Sequence, residues 1–439
     1  MNPWYVSYNL LVMPALYLVF RGGYYFNEKI RKGIDGRRTL FEAITAKCSS
    51  WNQVQGLGAS KPKIFWFHSS SLGELEQGKP LIAALKKRYG ERIKIAVSFF
   101  SPSGYEHARN YPLADLVFYL PFDSPFQARK LIRLLQPDVW ILLKYDAWPN
   151  HVWAAAAAKI PIFLVSASLP RNSGRLYPLV KSLHREVYRH FKMIFAISQE
   201  DAQRLEQISS ASTRILTVGD TRYDQVYLRS QSIEDQRDLI QKFSLPGRKL
   251  VAGSTWEEDE RPLIKAFKIL SGRYPDLRLV LVPHEPSPPR LEVIARELKK
   301  QDLRWIYASQ IGRVQGADLE VCPVLVVDQV GILASLYGVA DLTFVGGGFG
   351  TSIHNVMEPA ALGKPVLFGP AIHKALEALR LVEKGGGIIV KNDLELVSRI
   401  SELLDDPTQL KRTGEAARSL ILENRGATDK ILEYLEAYL

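Results

Sequence analysis

The chain alternates short apolar runs with longer stretches whose apolar positions recur at helical spacing. In the first half the runs are KIFWF, IKIAVSF, LVFYLP, DVWILL, IPIFLVSAS and KMIFAIS. In the second half they are ILTVG, KLVAGS, LRLVLVP, ADLTFVGG, KPVLFG and GGIIV. Uninterrupted Val, Ile and Leu mark strands buried on both faces, and helices between them make the sheets parallel. Two sets of about six runs predict an α/β chain with two doubly wound units. The break is expected near EQISSASTRILTVGD, where a Ser-rich stretch precedes a new strand. This gives units over residues 24–211 and 212–420. A final segment, 421–439, carries the helix ATDKILEYLEAYL, expected to pack back near the junction.

The first twenty residues, MNPWYVSYNLLVMPALYLVF, carry no charged side chain, and Arg21, Lys29, Arg31, Lys32, Arg37 and Arg38 follow. A secretory signal places its positive charges first and ends on small residues. This segment does neither. Trp4, Tyr5 and Tyr8 suit a membrane interface, and the basic flank points to the cytoplasmic side. Residues 1–23 therefore read as a membrane anchor or in-plane helix.

Composition narrows the partners. The net charge of +11 fits nucleic acid, an anionic membrane or a phosphorylated substrate. No basic block with interleaved aromatics occurs, so nucleic acid is not expected. Two distant cysteines, Cys48 and Cys322, offer neither a disulfide framework nor a thiolate zinc site, which fits a reducing compartment.

In open parallel sheets ligands bind beyond the carboxyl ends of the strands, and the candidate chemistry lies there. ADLTFVGGGFGTSIHNVMEPAALGKPVLFG ends a strand in Gly346, Gly347 and Gly348 before an expected helix. Glycines admit a ligand close to the backbone, and a helix N-terminus offers N–H groups to a phosphate. It is not the spaced dinucleotide fingerprint, so NAD is not implied. His354 and Glu358, four apart, are expected on one helix face, with Glu358 placed for ribose hydroxyls. One His and one Glu at that spacing make a poor zinc site. In LVAGSTWEEDE, Ser254 or Thr255 either caps a helix, with Glu257 or Glu258 completing the box, or binds a phosphate. LVLVPHEPSPPR puts His284 and Arg290 in a Pro-rich loop suited to a base or phosphate. DVWILLKYDAWPN places Lys144, Tyr145 and Asp146 just past a strand. In VGDTRYD, Arg222 and Asp224 lie near the junction, and Arg222 suits charge on a leaving phosphate. In HSSSLGELEQG, Glu74 is either the N3 residue of a helix capped by Ser70 or Ser71, or a general base. Spacing alone leaves both open.

Together HSSSLGE, WPN, GDTRYD, FVGGG and HNVMEPAALGKPVLFGP, in that order behind an apolar N-terminal segment, resemble the Kdo transferases. These bacterial enzymes move 3-deoxy-D-manno-octulosonic acid (Kdo) from CMP-Kdo onto a lipid A precursor. The resemblance implies the GT-B architecture, two Rossmann-like domains facing a cleft, with no metal and no cofactor beyond the donor substrate. It implies inverting transfer at the cytoplasmic face of the bacterial inner membrane. It places the catalytic base on Glu74 and the family's basic residue on Arg222. CMP-binding positions fall on Pro283 and His284, on Val330, Gly331 and Ile332, and on Asn355, Val356, Met357 and Glu358. The chain departs from the family at KYDAWPN, where Lys144 replaces a usual carboxylate and Asp146 stands two residues on. It departs again at PHEPSP, where His284 replaces an Arg, and at SASLP, where Ser168 does, with Arg171 close by. Lys144 then becomes a candidate for a lipid phosphate or the Kdo carboxylate. Two other readings stand beside this one: a GT-B lipid glycosyltransferase using a UDP-sugar, and a non-catalytic lipid-binding member of the fold.

Overall fold

The computed structural model describes residues 2–53, 61–232, 247–313 and 322–439. Its first sheet contains β1 (Lys63–Ser69), β2 (Ile93–Phe99), β3 (Leu116–Tyr119), β4 (Val139–Leu143), β5 (Ile162–Ala167), β6 (Met193–Ala196) and β7 (Arg214–Thr217). The order is β3-β2-β1-β4-β5-β6-β7, all parallel. The apolar runs are continuous because alternate residues feed two cores. Trp66, Trp140, Leu142 and Leu164 enter one layer, and Phe65, Phe67, Ile141 and Val165 enter the other. Trp66 and Trp140 stack at 4.2 Å within the first layer.

The second sheet contains β8 (Lys249–Thr255), β9 (Arg278–Pro283), β10 (Trp305–Tyr307), β11 (Val324–Val326), β12 (Leu342–Val345), β13 (Val366–Phe368) and β14 (Gly387–Ile389). Its order is β10-β11-β9-β8-β12-β13-β14, again parallel. Both sheets are doubly wound in the GT-B manner, as the alternation of runs and helices predicts. Each order reverses once, between β1 and β4 and between β8 and β12. Those reversals leave the crevices in which such sheets bind ligands.

By contacts the chain divides into Met1–Gln225 with Arg425–Leu439, and Val226–Asn424. The boundary thus falls after Gln225 rather than residue 211. ILTVG is the reason: it supplies β7, which pairs with β6 instead of opening the second sheet. The returning segment starts at Arg425 rather than residue 421. Asp224 fastens it, accepting from Gly426 N (2.6 Å), Thr428 N (2.7 Å) and Thr428 Oγ1 (2.6 Å). Ile431, Leu432 and Leu435 of the helix Ala427–Leu435 then enter the first unit's core.

The N-terminal segment is one continuous helix, Pro3–Phe26, with a π turn at Tyr8–Val12. It is long and apolar enough to cross a membrane. One side packs on the first unit. Tyr8 donates to Asp123 (2.9 Å), Asn9 and Asn150 exchange amide hydrogen bonds, and Phe20 meets Phe122 at 5.1 Å. The other side leaves Leu10, Leu11, Leu18 and Val19 exposed. The next helix, Glu28–Asp35, carries Lys29, Arg31 and Lys32 at its surface.

Candidate active site

In the first unit, Glu74 follows β1 and Lys144–Asp146 follow β4, so the strand reversal brings them together. Ser71 caps the helix Leu72–Tyr89, its hydroxyl accepting from Glu74 N (3.4 Å). The Glu74 carboxylate reaches back to Ser70 N (2.8 Å). Glu74 is therefore the N3 residue of a capped helix, and this also buries it to 7 % exposure. Burial lifts its carboxyl above the ordinary range. Asp146 adds to the rise, while the Ser70 N–H, Lys144 and His68 oppose it. Capping and a raised proton affinity are two properties of one geometry, so the alternatives left open by spacing do not exclude each other.

His68, on β1, is fully buried beside this carboxylate, and sequence reading passed over it. Trp66 Nε1 donates to Ser98 Oγ (2.8 Å), and His68 Nδ1 lies 2.9 Å from the same oxygen. His68 Nε2 lies 3.6 Å from Asp146 Oδ2, beyond hydrogen-bond distance. Trp148 Nε1 donates to that oxygen (3.1 Å). Asp146 is thus held by the Trp148 indole. The one available signal was a histidine at the end of an otherwise apolar strand. Lys144 adopts φ 71°, a left-handed conformation unusual for a side-chain-bearing residue. Its N–H donates to Val165 O (2.8 Å), and its ammonium stands over the Tyr145 ring at 5.1 Å. Arg222 lies in the first turn of the helix Thr221–Ser232 and donates from Nε (2.8 Å) and Nη2 (2.7 Å) to the one oxygen Asp220 Oδ2. Neighbouring Thr221 donates to Gln77 O (2.6 Å), tying this turn to the helix that carries Glu74. Ser168 is half-buried and Arg171 exposed after β5.

In the second unit, the ends of β8, β9 and β12 converge on an aromatic cluster. Trp256 Nε1 donates to His354 Nε2 (2.9 Å), and His354 stacks on His284 at 4.3 Å. Trp256 lies 4.9 Å from His284 and stays partly exposed. Burial, then neighbouring His284, holds His354 below the usual imidazole range. With the indole N–H on Nε2, the His354 proton resides on Nδ1. Pro283 closes β9, and His284 N donates to Thr255 O (3.0 Å). Val330, Gly331 and Ile332 form the exposed turn before the helix Leu333–Gly338, where Gly331 takes φ 92°.

Three expectations for this unit change. First, neither Ser254 nor Thr255 caps the helix Glu257–Arg273. Trp256 holds the cap position, and Asp259 takes its N–H (2.9 Å). The Thr255 hydroxyl is committed to Glu260 (2.9 Å), which burial pushes up to about 7 despite Arg290. Second, two N–H groups of the glycine loop, those of Gly347 and Phe349, are not free for a phosphate. Asp259, fully buried, accepts from Gly347 N (2.7 Å) and Phe349 N (3.1 Å). Gly348 is a packing glycine, since a Cβ there would lie 2.6 Å from Gly369 N. Third, His354 precedes rather than joins a helix. Residues 352–356 are irregular, Asn355 Oδ1 accepts from Met357 N (3.0 Å), and the helix Met357–Ala361 is short. His354 and Glu358 therefore share no helix face, and Glu358 pairs with Arg229 (3.2 Å). Asn355, Val356, Met357 and Glu358 remain contiguous beside His354. Among the described residues no three of His, Cys, Asp or Glu converge as a metal set.

The family model of the 3-deoxy-D-manno-octulosonic-acid transferases matches residues 46–225, the segment that holds Glu74, Lys144, Asp146 and Arg222. The transferase of that name from Haemophilus influenzae is 28 % identical over 86 % of this chain and 88 % of its own. The one from Aquifex aeolicus is 28 % identical over 79 % of this chain and 87 % of its own. In fold, a UDP-GlcNAc 2-epimerase from Neisseria meningitidis superposes with a TM-score of 0.59 at 15 % identity, covering 85 % of this chain and all (100 %) of its own. That structural likeness speaks to the doubly wound pair alone. The transferase relatives cover most of this chain, so by sequence it is similar to the Kdo transferases.

Proposed function

We propose that this protein transfers Kdo from CMP-Kdo to a lipid A precursor with inversion at the anomeric carbon. The observation that carries the reading is Glu74, a buried carboxyl with raised proton affinity at the β1/β4 reversal. As general base, Glu74 takes the proton of an acceptor hydroxyl while that oxygen bonds to the anomeric carbon. The bond from that carbon to the CMP phosphate oxygen breaks, and CMP leaves with the electron pair. Arg222, held by Asp220, is assigned to the charge on the leaving phosphate. Lys144 and Asp146 are assigned to the Kdo carboxylate or an acceptor phosphate and to the acceptor's hydroxyls.

The second unit is assigned to the nucleotide. Trp256, His284 and His354 offer rings on which a base stacks, and the His354 Nδ1–H is a neutral donor. Pro283, Val330–Ile332 and Asn355–Glu358 border that cluster in sequence and in the sheet order. The outward face of the Pro3–Phe26 helix, with the basic helix behind it, supports attachment at the cytoplasmic face of the inner membrane.

Thermal unfolding with each nucleotide separates this reading from a UDP-sugar enzyme. CMP at saturating concentration is expected to raise the midpoint clearly, and UDP at equal concentration to leave it near the apo value. A larger shift with UDP would transfer the assignment to the rival.

A further inference from the structure

Between the Pro3–Phe26 helix and the first unit lies a groove of about 940 Å³. Met13, Leu16 and Phe20 line it from the helix, and Phe122, Pro125 and Trp148 line it from the domain. The volume lies at the upper end of the roughly 300–1,000 Å³ of ligand pockets. The helix is kept at this distance by polar contacts at its N-terminal end, Tyr8 on Asp123 and Asn9 on Asn150. Beyond them the helix meets the domain again at Phe20 on Phe122 (5.1 Å), and the groove opens alongside these contacts.

We infer that this groove binds an acyl chain of the acceptor lipid, and so sets where the acceptor's sugar lies. The inference rests on the reading of a lipid acceptor given above. Three observations select that occupant. The groove is walled by the same helix that carries the exposed apolar face of Leu10, Leu11 and Leu18, so it adjoins the surface suited to a bilayer. Its rim carries Arg21 and Arg38, and among the described residues Arg21 has no acidic partner, which complements a phosphorylated headgroup. Its inner wall, Trp148, donates to Asp146, whose carboxylate acts on Glu74. A chain seated against Trp148 therefore places the attached sugar on the side of the general base.

The test uses the full-length protein without donor, so that its outcome does not depend on Kdo transfer. Binding of the lipid A precursor and of its fully deacylated, still phosphorylated backbone is measured for the wild type, for Leu16→Trp and Met13→Trp in the groove, and for Leu18→Trp on the outward face. Flotation with phosphatidylglycerol vesicles is measured in parallel. Either groove variant with a wild-type unfolding midpoint is expected to bind the acylated precursor at least tenfold more weakly, to bind the deacylated backbone as before, and to float as before. Leu18→Trp is expected to bind both acceptors normally. Unchanged binding of the acylated precursor by both groove variants would overturn the inference. So would equal loss of both acceptors, or a loss of flotation that tracks the loss of precursor binding, which would assign the groove to bulk lipid. Failure of transfer by the wild type, with these binding differences intact, would overturn the assigned reaction and leave the groove standing.

Discussion

Glu74→Gln is expected to reduce transfer by roughly 10²–10⁴-fold, the usual contribution of a positioned general base. The amide keeps a carbonyl oxygen for Ser70 N–H and keeps the side-chain volume, so the helix cap survives. It cannot take a proton. Stability should not fall, and the sign of the effect follows from linkage. Burial raises the Glu74 carboxyl in the folded protein above its unfolded value. The contribution to stability is then fully present below the unfolded value and is lost as pH rises through the folded one. At neutral pH the ionised carboxylate is thus a burden that the neutral amide removes. The same shift predicts the rate profile. Activity requires the ionised base, so kcat/KM should climb with pH along a limb set above that of an ordinary glutamate. Steady-state rates and an unfolding midpoint on one preparation check both halves. A variant that is inactive because it is unfolded would fail the second. Retained turnover would remove Glu74 from the chemistry.

The second large effect is expected at a residue with no direct part in the chemistry. Asp259→Ala should destabilise the protein by roughly 2–5 kcal/mol and abolish protection by CMP. Asp259 is fully buried and serves three backbone donors: Trp256 N, Gly347 N and Phe349 N. Removing the carboxylate leaves those N–H groups without an acceptor in a dry interior, each costing about 1–3 kcal/mol, partly recovered by relaxation. It also unfastens the turn after β8 from the glycine loop after β12, the two elements that present Trp256 and His354. Denaturant unfolding and the CMP-induced thermal shift read the two consequences. A variant of native stability that still binds CMP would show that the loop is held by its glycine packing alone.

The sheets were legible in the chain because strands buried on both faces leave a continuous apolar signature. The failures were local and have physical causes. β10 and β11 were passed over: both are three residues long, and β10, at the sheet edge, buries only its central Ile306. ILTVG looked like a new beginning because a Ser-rich stretch precedes it, yet edge pairing with β6 made it an ending. The glycine loop announced close backbone approach but not to what. The approach is to Ser254, Thr255 and Gly369 and to the buried Asp259, which sits in an acidic run that reads as a solvated helix start. His68 was hidden in the opposite way, as one polar residue in an apolar strand. Its neighbours Ser98, on β2, and Asp146, past the end of β4, are distant in sequence, so only the fold shows them together. Lys144, where the chain departs from the pattern it resembles, is also where the backbone turns left-handed. The fold explains the turn, by the Lys144 N–H bond to Val165 O at the end of β5.

The most direct measurement is mass spectrometry of the products after the purified protein is incubated with CMP-Kdo and the lipid A precursor, alongside Glu74→Gln. The account predicts precursor heavier by one or more Kdo residues with an equivalent release of CMP for the wild type, and unmodified precursor for the variant. Unmodified precursor with the wild type, or equal modification by both proteins, would contradict it.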